Sequence, residues 1–421
     1  MFNISVQKIF LVVIGSVLLI TAVSCQTNRN AANESKLSGR ILLWHGWEDE
    51  EAAVLEGLVN TFEQLQPDVN IVMAAIPPDE LLTQYEDTAA LGLGPDLMLG
   101  SSEWMTALVE EGLIRPVNTQ NLDAARFYPA AINTVTYAGS VYGLPLSIWP
   151  PGLYYNQQLV STPPATTFEA LLTAGAEGQT VLINSSAKPA FMGLEAFGGP
   201  LFSTENRLTA DQSGFINWLQ WLQTAQDSPG VIVSQDSQSL DRLFMEGRAA
   251  YYIANARQFN EFQEALEAET EETVVMVAPL PAGPFEQQPR PVLETDAFMF
   301  NSASSDHQYR LALALADFLT NTQQNNTLLR ELDRIPANQR TRINAGVYPN
   351  TAAFAAQVRT AVSLPKPLYP VLFGPAGDAV YTAVLSGAAE PETAVCELIQ
   401  NLRQEMEGAQ PNFESCQPEE N

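Results

Sequence analysis

Arg40-Ile41-Leu42-Leu43-Trp44-His45-Gly46-Trp47 is a short apolar run that stops at a glycine, the pattern of a buried strand running into a loop. From Glu50 to Gln64 the period changes, and Val54, Leu55, Leu58, Val59 and Phe62 fall on one helical face. Pro67-Asp68 ends that helix, and Val69 to Ala75 forms the next strand. A second helical stretch, Glu80 to Ala90, leads through Gly94-Pro95 to a strand at Asp96 to Leu99. Strand, helix, strand, helix, strand is the signature of βαβ crossovers, so the chain reads as α/β with parallel pairing.

The alternation resumes downstream. Phe168 to Gly175 reads as a helix, Thr180 to Asn184 as a strand, and Ser213 to Ala225 as an amphipathic helix carrying Trp218 and Trp221. Ala249 to Ile253 is strand-like and Gln308 to Thr320 a strong apolar helix. Proline-rich breaks at Pro145 to Pro151, Pro279 to Pro291 and Pro365 to Pro370 read as crossings and hinges. No repeat is evident.

With 421 residues, the prior is two or three domains. Hydrophobic residues make up 46%, as a folded protein requires. The 48 acids against 20 Lys and Arg leave a net charge of −28, which argues against nucleic acid as a partner. Only His45 and His307 are present, which excludes a histidine-rich metal site, and no metal is expected. The chain carries no phosphate-binding Gly-x-x-x-x-Gly-Lys-Ser/Thr loop, no Gly-x-Ser-x-Gly elbow and no His-Glu-x-x-His motif. It is therefore not expected to hydrolyse ATP, to need a cofactor or to be an enzyme.

Residues 1–24 follow the plan of a secretory signal: Lys8, an apolar run from Ile9 to Ile20, then Thr21-Ala22-Val23-Ser24. A single membrane-spanning anchor is the alternative, but the apolar run is short of the roughly 20 residues a span needs. Ala22-Val23-Ser24-Cys25 resembles a bacterial lipobox, with Ala22 where leucine is commonest. The resemblance implies lipidation of Cys25 and a polar tether over residues 25–38. In an exported protein Cys396 and Cys416 read either as a disulfide or as two buried thiols.

Further motifs accumulate in order. They are the opening Ile41 to Trp47, Gly94-Pro95-Asp96-Leu97-Met98-Leu99-Gly100-Ser101-Ser102-Glu103-Trp104, and Glu111-Gly112-Leu113-Ile114-Arg115-Pro116-Val117. Tyr142-Gly143-Leu144-Pro145, Leu153-Tyr154-Tyr155-Asn156 and Pro164-Ala165-Thr166-Thr167-Phe168-Glu169-Ala170-Leu171 follow, with Thr167 as N-cap. Phe244 to Ile253, Ile335-Pro336-Ala337-Asn338 and Leu385-Ser386-Gly387-Ala388 close the series. Together they resemble the bacterial extracellular solute-binding proteins, family 1, which include the maltose-binding type.

The resemblance implies a two-lobed, periplasmic-binding-protein-like (class II) clamp with a mixed sheet in each lobe and a ligand cleft between them. The N-lobe would hold residues 39–146 plus about 290–340, and the C-lobe 147–289 plus about 341–421. It implies a monomeric, lipid-anchored receptor facing the periplasm or the cell exterior, which hands a carbohydrate to the permease subunits of an ABC transporter.

Sugars offer a flat C–H face and a rim of hydroxyls, so a cleft that holds them needs aromatic rings and carboxylates or amides. The resemblance places Trp47 and Glu48 after the first strand, Glu103 and Trp104 after the third, and Trp149 at the crossing. All are expected at the ligand, with Glu103 where the family has a hydroxyl-bonding Asp or Asn. Solvated surface charge is the alternative for Glu48 and Glu103, and core packing is the reading for Trp218 and Trp221. Arg257 stands where relatives carry a stacking tryptophan, so a ring-stacking role and an anion-pairing role both stay open. Phe373 is the aromatic nearest another missing cleft tryptophan. His45 bonds either a ligand hydroxyl or the backbone at the strand end, and His307 reads as a surface residue at a helix start. A polyamine or other non-sugar ligand, a carbohydrate-active enzyme working through two carboxylates, and a receptor reporting to a sensor are the competing functions.

Overall fold

The computed structural model describes residues 37–161, 164–202, 214–268, 272–362, 364 and 366–405. The secretory signal, Cys25, the tether up to residue 36 and Cys416 lie outside them.

The opening stretch folds as its periodicity requires. Strand β1 (Gly39–His45), helix α1 (Asp49–Leu65), β2 (Val69–Ala75), α2 (Leu81–Ala89) and β3 (Leu97–Ser101) follow in order. Strands β2 and β3 pair in parallel on either side of β1. Leu55, Leu58, Val59 and Phe62 bury the inner face of α1. They pack on Ile41, Leu43 and Ile71 of the sheet and on Leu311 and Leu315 of the later helix Asp306–Leu319. The intervening and later strands are β4 (Thr136–Tyr137), β5 (Ser140–Val141), β6 (Gly143–Trp149), β7 (Pro151–Asn156), β8 (Val181–Asn184), β9 (Val231–Ser234), β10 (Tyr251–Asn255), β11 (Val275–Ala278) and β12 (Glu294–Phe300).

Two five-stranded sheets result, in the orders β2-β1-β3-β12-β6 and β11-β7-β10-β8-β9. Both are mixed: β12 runs antiparallel to β3 and β6, while β7 runs antiparallel to β10 and β11. The chain passes between the sheets at Trp149-Pro150-Pro151, and it returns to the first sheet after β11. Each sheet has its own apolar core, so the fold is α/β in two lobes.

Helices α3 (Met105–Glu110), α4 (Phe168–Ala176), α5 (Ala187–Ala190), α6 (Phe215–Gln226), α7 (Asp306–Leu319), α8 (Thr322–Leu332) and α9 (Pro391–Glu405) carry the connections used below. Thr167 caps α4, accepting the Ala170 backbone N–H at 3.1 Å. Trp218 is fully buried and stacks on Trp221 at 5.1 Å, both rings packed against Phe168 and Phe197. His307 sits in the first exposed turn of α7, its Nε2 2.7 Å from the Ser38 carbonyl. Cys396, on α9, is disulfide-bonded.

One expectation fails. Pro145 to Pro151 is not a break: Pro145 lies inside β6 and Pro151 begins β7. Proline cannot donate to a ladder, but β6 is an edge strand, and its pairing with β12 slips by one residue between Ser147 and Pro145. The first sheet consequently extends to Trp149.

Candidate functional site

Strand ends aim their loops at the space between the sheets. After β1 come Gly46 and Trp47, and after β3 come Glu103 and Trp104. A 390 Å³ cavity is lined by these four together with Ser101, Glu51 of α1, Arg257, Glu294, Asp296 and Arg334. Gly100 lets Trp104 lie flat on β3, because a Cβ there would meet the indole at 2.4 Å. A second cavity, of 290 Å³, lies against the other sheet and is lined by Asn184, Ser186, Lys188, Ser237, Tyr252, Asn255 and Gln258. Glu294 is common to both.

The floor of the first cavity is an ion-pair cluster centred on Asp296. Its Oδ1 accepts Arg257 Nη2 at 2.7 Å. Its Oδ2 accepts Arg334 Nη1 at 2.9 Å, Trp149 Nε1 at 2.9 Å and Ser147 Oγ at 3.1 Å. Arg334 also pairs with Glu51 at 2.6 Å, and Arg257 Nε with Glu294 at 3.1 Å. Burial pushes the Asp296 carboxyl up, but the two guanidinium groups outweigh it and hold it below the ordinary carboxylate range. Lys188 of α5 bridges Glu103 and Glu294, each at 2.5 Å.

Of the residues the sequence singles out, Trp47, Glu103, Trp104 and Arg257 line this cavity. Trp47 is nonetheless 6% exposed, and the Arg334 guanidinium lies 3.9 Å over its ring. Trp149 is held between Arg334 and Arg257, at 4.9 and 4.6 Å, and borders a smaller cavity behind them. Cations thus cover faces that were expected to meet a sugar. Arg257 is already matched by two carboxylates.

Three expected residues are not brought there. His45 is buried beneath α1, where its Nδ1 accepts the Trp47 backbone N–H at 3.2 Å, and burial lowers its pKa. Glu48 is an exposed residue at the start of α1, and Glu51, one turn later, faces the cavity instead. Phe373 packs edge-on against Phe191 and Tyr369.

Sequence reading missed Glu51, Lys188, Glu294, Asp296 and Arg334. Glu294-Thr295-Asp296 did carry a signal, since acids two apart at the head of a strand share one face. Among the described residues no cluster of three or more His, Cys, Asp and Glu side chains is placed to hold a metal, and no helix is long and apolar enough to cross a membrane.

Two mixed α/β sheets with a polar, tryptophan-edged cavity between them define a two-lobed solute-binding protein. Residues 57–356 match the family described as bacterial extracellular solute-binding protein, and the chain belongs to that family. The family is extracellular, so the protein is exported.

Among relatives, the maltodextrin-binding protein of Bacillus subtilis (strain 168) is 24% identical over 85% of this chain and 88% of that protein. The galactooligosaccharide-binding protein of the same organism is 22% identical over 89% and 92%. A maltotriose-binding protein of Pyrococcus abyssi is 30% identical, over 31% of this chain and 28% of that protein. The fold is shared with a cyclo/maltodextrin-binding protein solved with maltotetraose, at TM-score 0.75 and 18% identity, covering 90% of this chain and all of the other. It is also shared with the GacH receptor of Streptomyces glaucescens, solved with and without acarbose, at TM-score 0.72 and 20% identity over 89% and 100%. The family to which the chain belongs is one of solute-binding proteins, not of enzymes.

Proposed function

We propose that the protein is the receptor of an ABC importer for an oligosaccharide of the maltodextrin class. The observation that carries this reading is the cavity at the ends of β1 and β3, where the Trp104 indole stands beside the Glu103 carboxylate and the Ser101 hydroxyl. A ring beside hydroxyl-bonding groups is what a pyranose needs, and the relatives' names agree. In this reading the lobes are residues 39–149 with about 290–340, and 150–289 with about 341–405, closing about Trp149-Pro150-Pro151. The carboxylates of the cavity already face Lys188, Arg257 and Arg334, which disfavours a polyamine. Residues 1–24 would direct export and lipidated Cys25 would hold the receptor at the membrane beside its permease.

Thermal unfolding with maltose, maltotriose and maltotetraose tests the ligand. At a hundred times its dissociation constant a ligand adds about 2.7 kcal/mol of stability. Trp104→Ala should weaken binding at least tenfold in a protein that stays folded, with the apo melting temperature lowered by the packing the indole makes on β3. A flat melting temperature across the series would remove the maltodextrin assignment. Radiolabelled palmitate incorporated by the wild type and not by Cys25→Ser would support the anchor, and equal labelling would exclude it.

A further inference from the structure

Lys188 stands between the two cavities. The 390 Å³ space belongs to the first sheet and the 290 Å³ space to the second, and Glu294 is their common wall. From α5 on the second sheet's side, Lys188 Nζ reaches Glu103 Oε1 and Glu294 Oε1, each at 2.5 Å. Arg257 continues the same line through Glu294 Oε2 at 3.1 Å. Burial pulls the Lys188 pKa down, but Glu294 and Glu103 together more than offset it and leave it above the ordinary lysine value. The ammonium is therefore charged at neutral pH and the partition is intact.

Ligand sites commonly enclose about 300–1,000 Å³. Each chamber alone sits near the lower bound, and joined they fall well inside the range. Beyond the partition the wall is polar: Ser237 lines it, the Tyr252 hydroxyl donates to Asp241 and the Asn255 amide to the Trp149 carbonyl, each at 2.8 Å, and the Asn184 amide oxygen accepts the Ser186 backbone N–H, so these groups are held in fixed orientations along a second stretch of wall. A lysine on a flexible four-carbon stem can swing aside without disturbing the backbone, as a rigid guanidinium fork cannot so readily.

We propose that Lys188 is a removable partition that sets the length of oligosaccharide the cleft accepts. This rests on the sugar-receptor reading above. A short ligand fills one chamber with the bridge in place. A longer one has to lift the ammonium from Glu103 and Glu294, whose oxygens then accept ligand hydroxyls. Lys188 is thus a specificity-determining residue, and its signature is a change in the ratio of two affinities.

Calorimetric titration of maltose and maltotetraose into wild type, Lys188→Met and Lys188→Arg at low and high salt is the test. In Lys188→Met the maltotetraose-to-maltose affinity ratio should rise at least tenfold. High salt should raise that ratio in the wild type and leave it unchanged in the methionine variant, and Lys188→Arg, whose fork lifts less readily, should lower it below the wild-type value. An unchanged ratio in Lys188→Met overturns the proposal. If neither sugar binds the wild type, the ligand assignment fails separately, and X-ray scattering of the ligand-free proteins then decides. Lys188 ties α5 to the loop after β3, so its loss should enlarge the radius of gyration at low salt. Identical curves would overturn the partition.

Discussion

Asp296→Asn removes one charge from the centre of the cluster and almost nothing from its volume. The carboxylate accepts from Arg257, Arg334, Trp149 and Ser147, all between 2.7 and 3.1 Å. Arg334 suffers most. It is 5% exposed, its Nε already has no acceptor, and Glu51 would be its remaining counter-charge. Breaking a buried pair from one side costs about 3–5 kcal/mol. Arg257 adds little to this, being more exposed and still paired with Glu294. An unfolding entropy of about 2.1 cal/mol/K per residue, over the roughly 350 described residues, gives about 0.7 kcal/mol/K. The expected drop in melting temperature is then about 4–7 °C, read by calorimetry at pH 7. The pH dependence follows from the depressed carboxyl. Its stabilisation is fully present above the unfolded value of about 3.9 and is lost as pH falls through the lower folded value. The gap between wild type and variant should hold from pH 7 to about 4 and shrink below that. A drop under about 1 °C at pH 7, or a gap already closing between pH 7 and 5, would refute the reasoning.

Two further substitutions test other parts of the structure. Burial depresses the Lys366 pKa to about 8, helped by Lys188 and opposed by Glu103, so between that value and the unfolded one of about 10.4 the unfolded chain binds more protons and stability rises with pH. Lys366→Met should therefore raise the melting temperature at pH 7, by up to about 3 kcal/mol of stability, with the gain fading as pH approaches 10.4, and a gain independent of pH would exclude this cause. Gly193→Ala would press a Cβ to 2.3 Å from the Trp218 indole, which Phe168, Phe197 and Trp221 hold in place. It should cost about 1–3 kcal/mol and alter the tryptophan near-ultraviolet dichroism, whereas an unaltered spectrum and midpoint would show that the ring has room.

The fold was largely legible because periodicity is local. The run from Arg40 to Leu99 needed only its own 2.0 and 3.6 residue periods to yield β1, α1, β2, α2 and β3. Strand β6 is not legible in the sequence because Pro145 reads as a breaker unless the strand is known to be an edge, and that is a property of the assembled sheet. The cavity was half legible. Glycine- and serine-flanked tryptophans after strands marked Trp47 and Trp104, but nothing local says that Arg334 folds back over Trp47. Glu51 is not legible as a cavity residue because the helix register at its first turn depends on where Asp49 begins it, and that residue takes a left-handed φ of 44°.

These misreadings share a cause that bears on how the receptor works. Trp47, Trp149 and Glu103 read from sequence as free to meet a ligand, when each has a cationic partner drawn from a distant segment. Trp149 ends β6 immediately before the chain crosses to β7, and Asp296 faces it from β12. The cluster that floors the cavity is therefore built on the crossing itself. If the lobes close about Pro150 as proposed, that movement has to displace Arg257, which comes from the second sheet, relative to Asp296 and Glu294 in the first. Charge pairing at the floor and the opening of the cleft are in this way one coordinate. A neutral ligand resting on Trp104 would meet a surface whose charges are already satisfied, and it would gain its selectivity from the shape of the rim rather than from any net field.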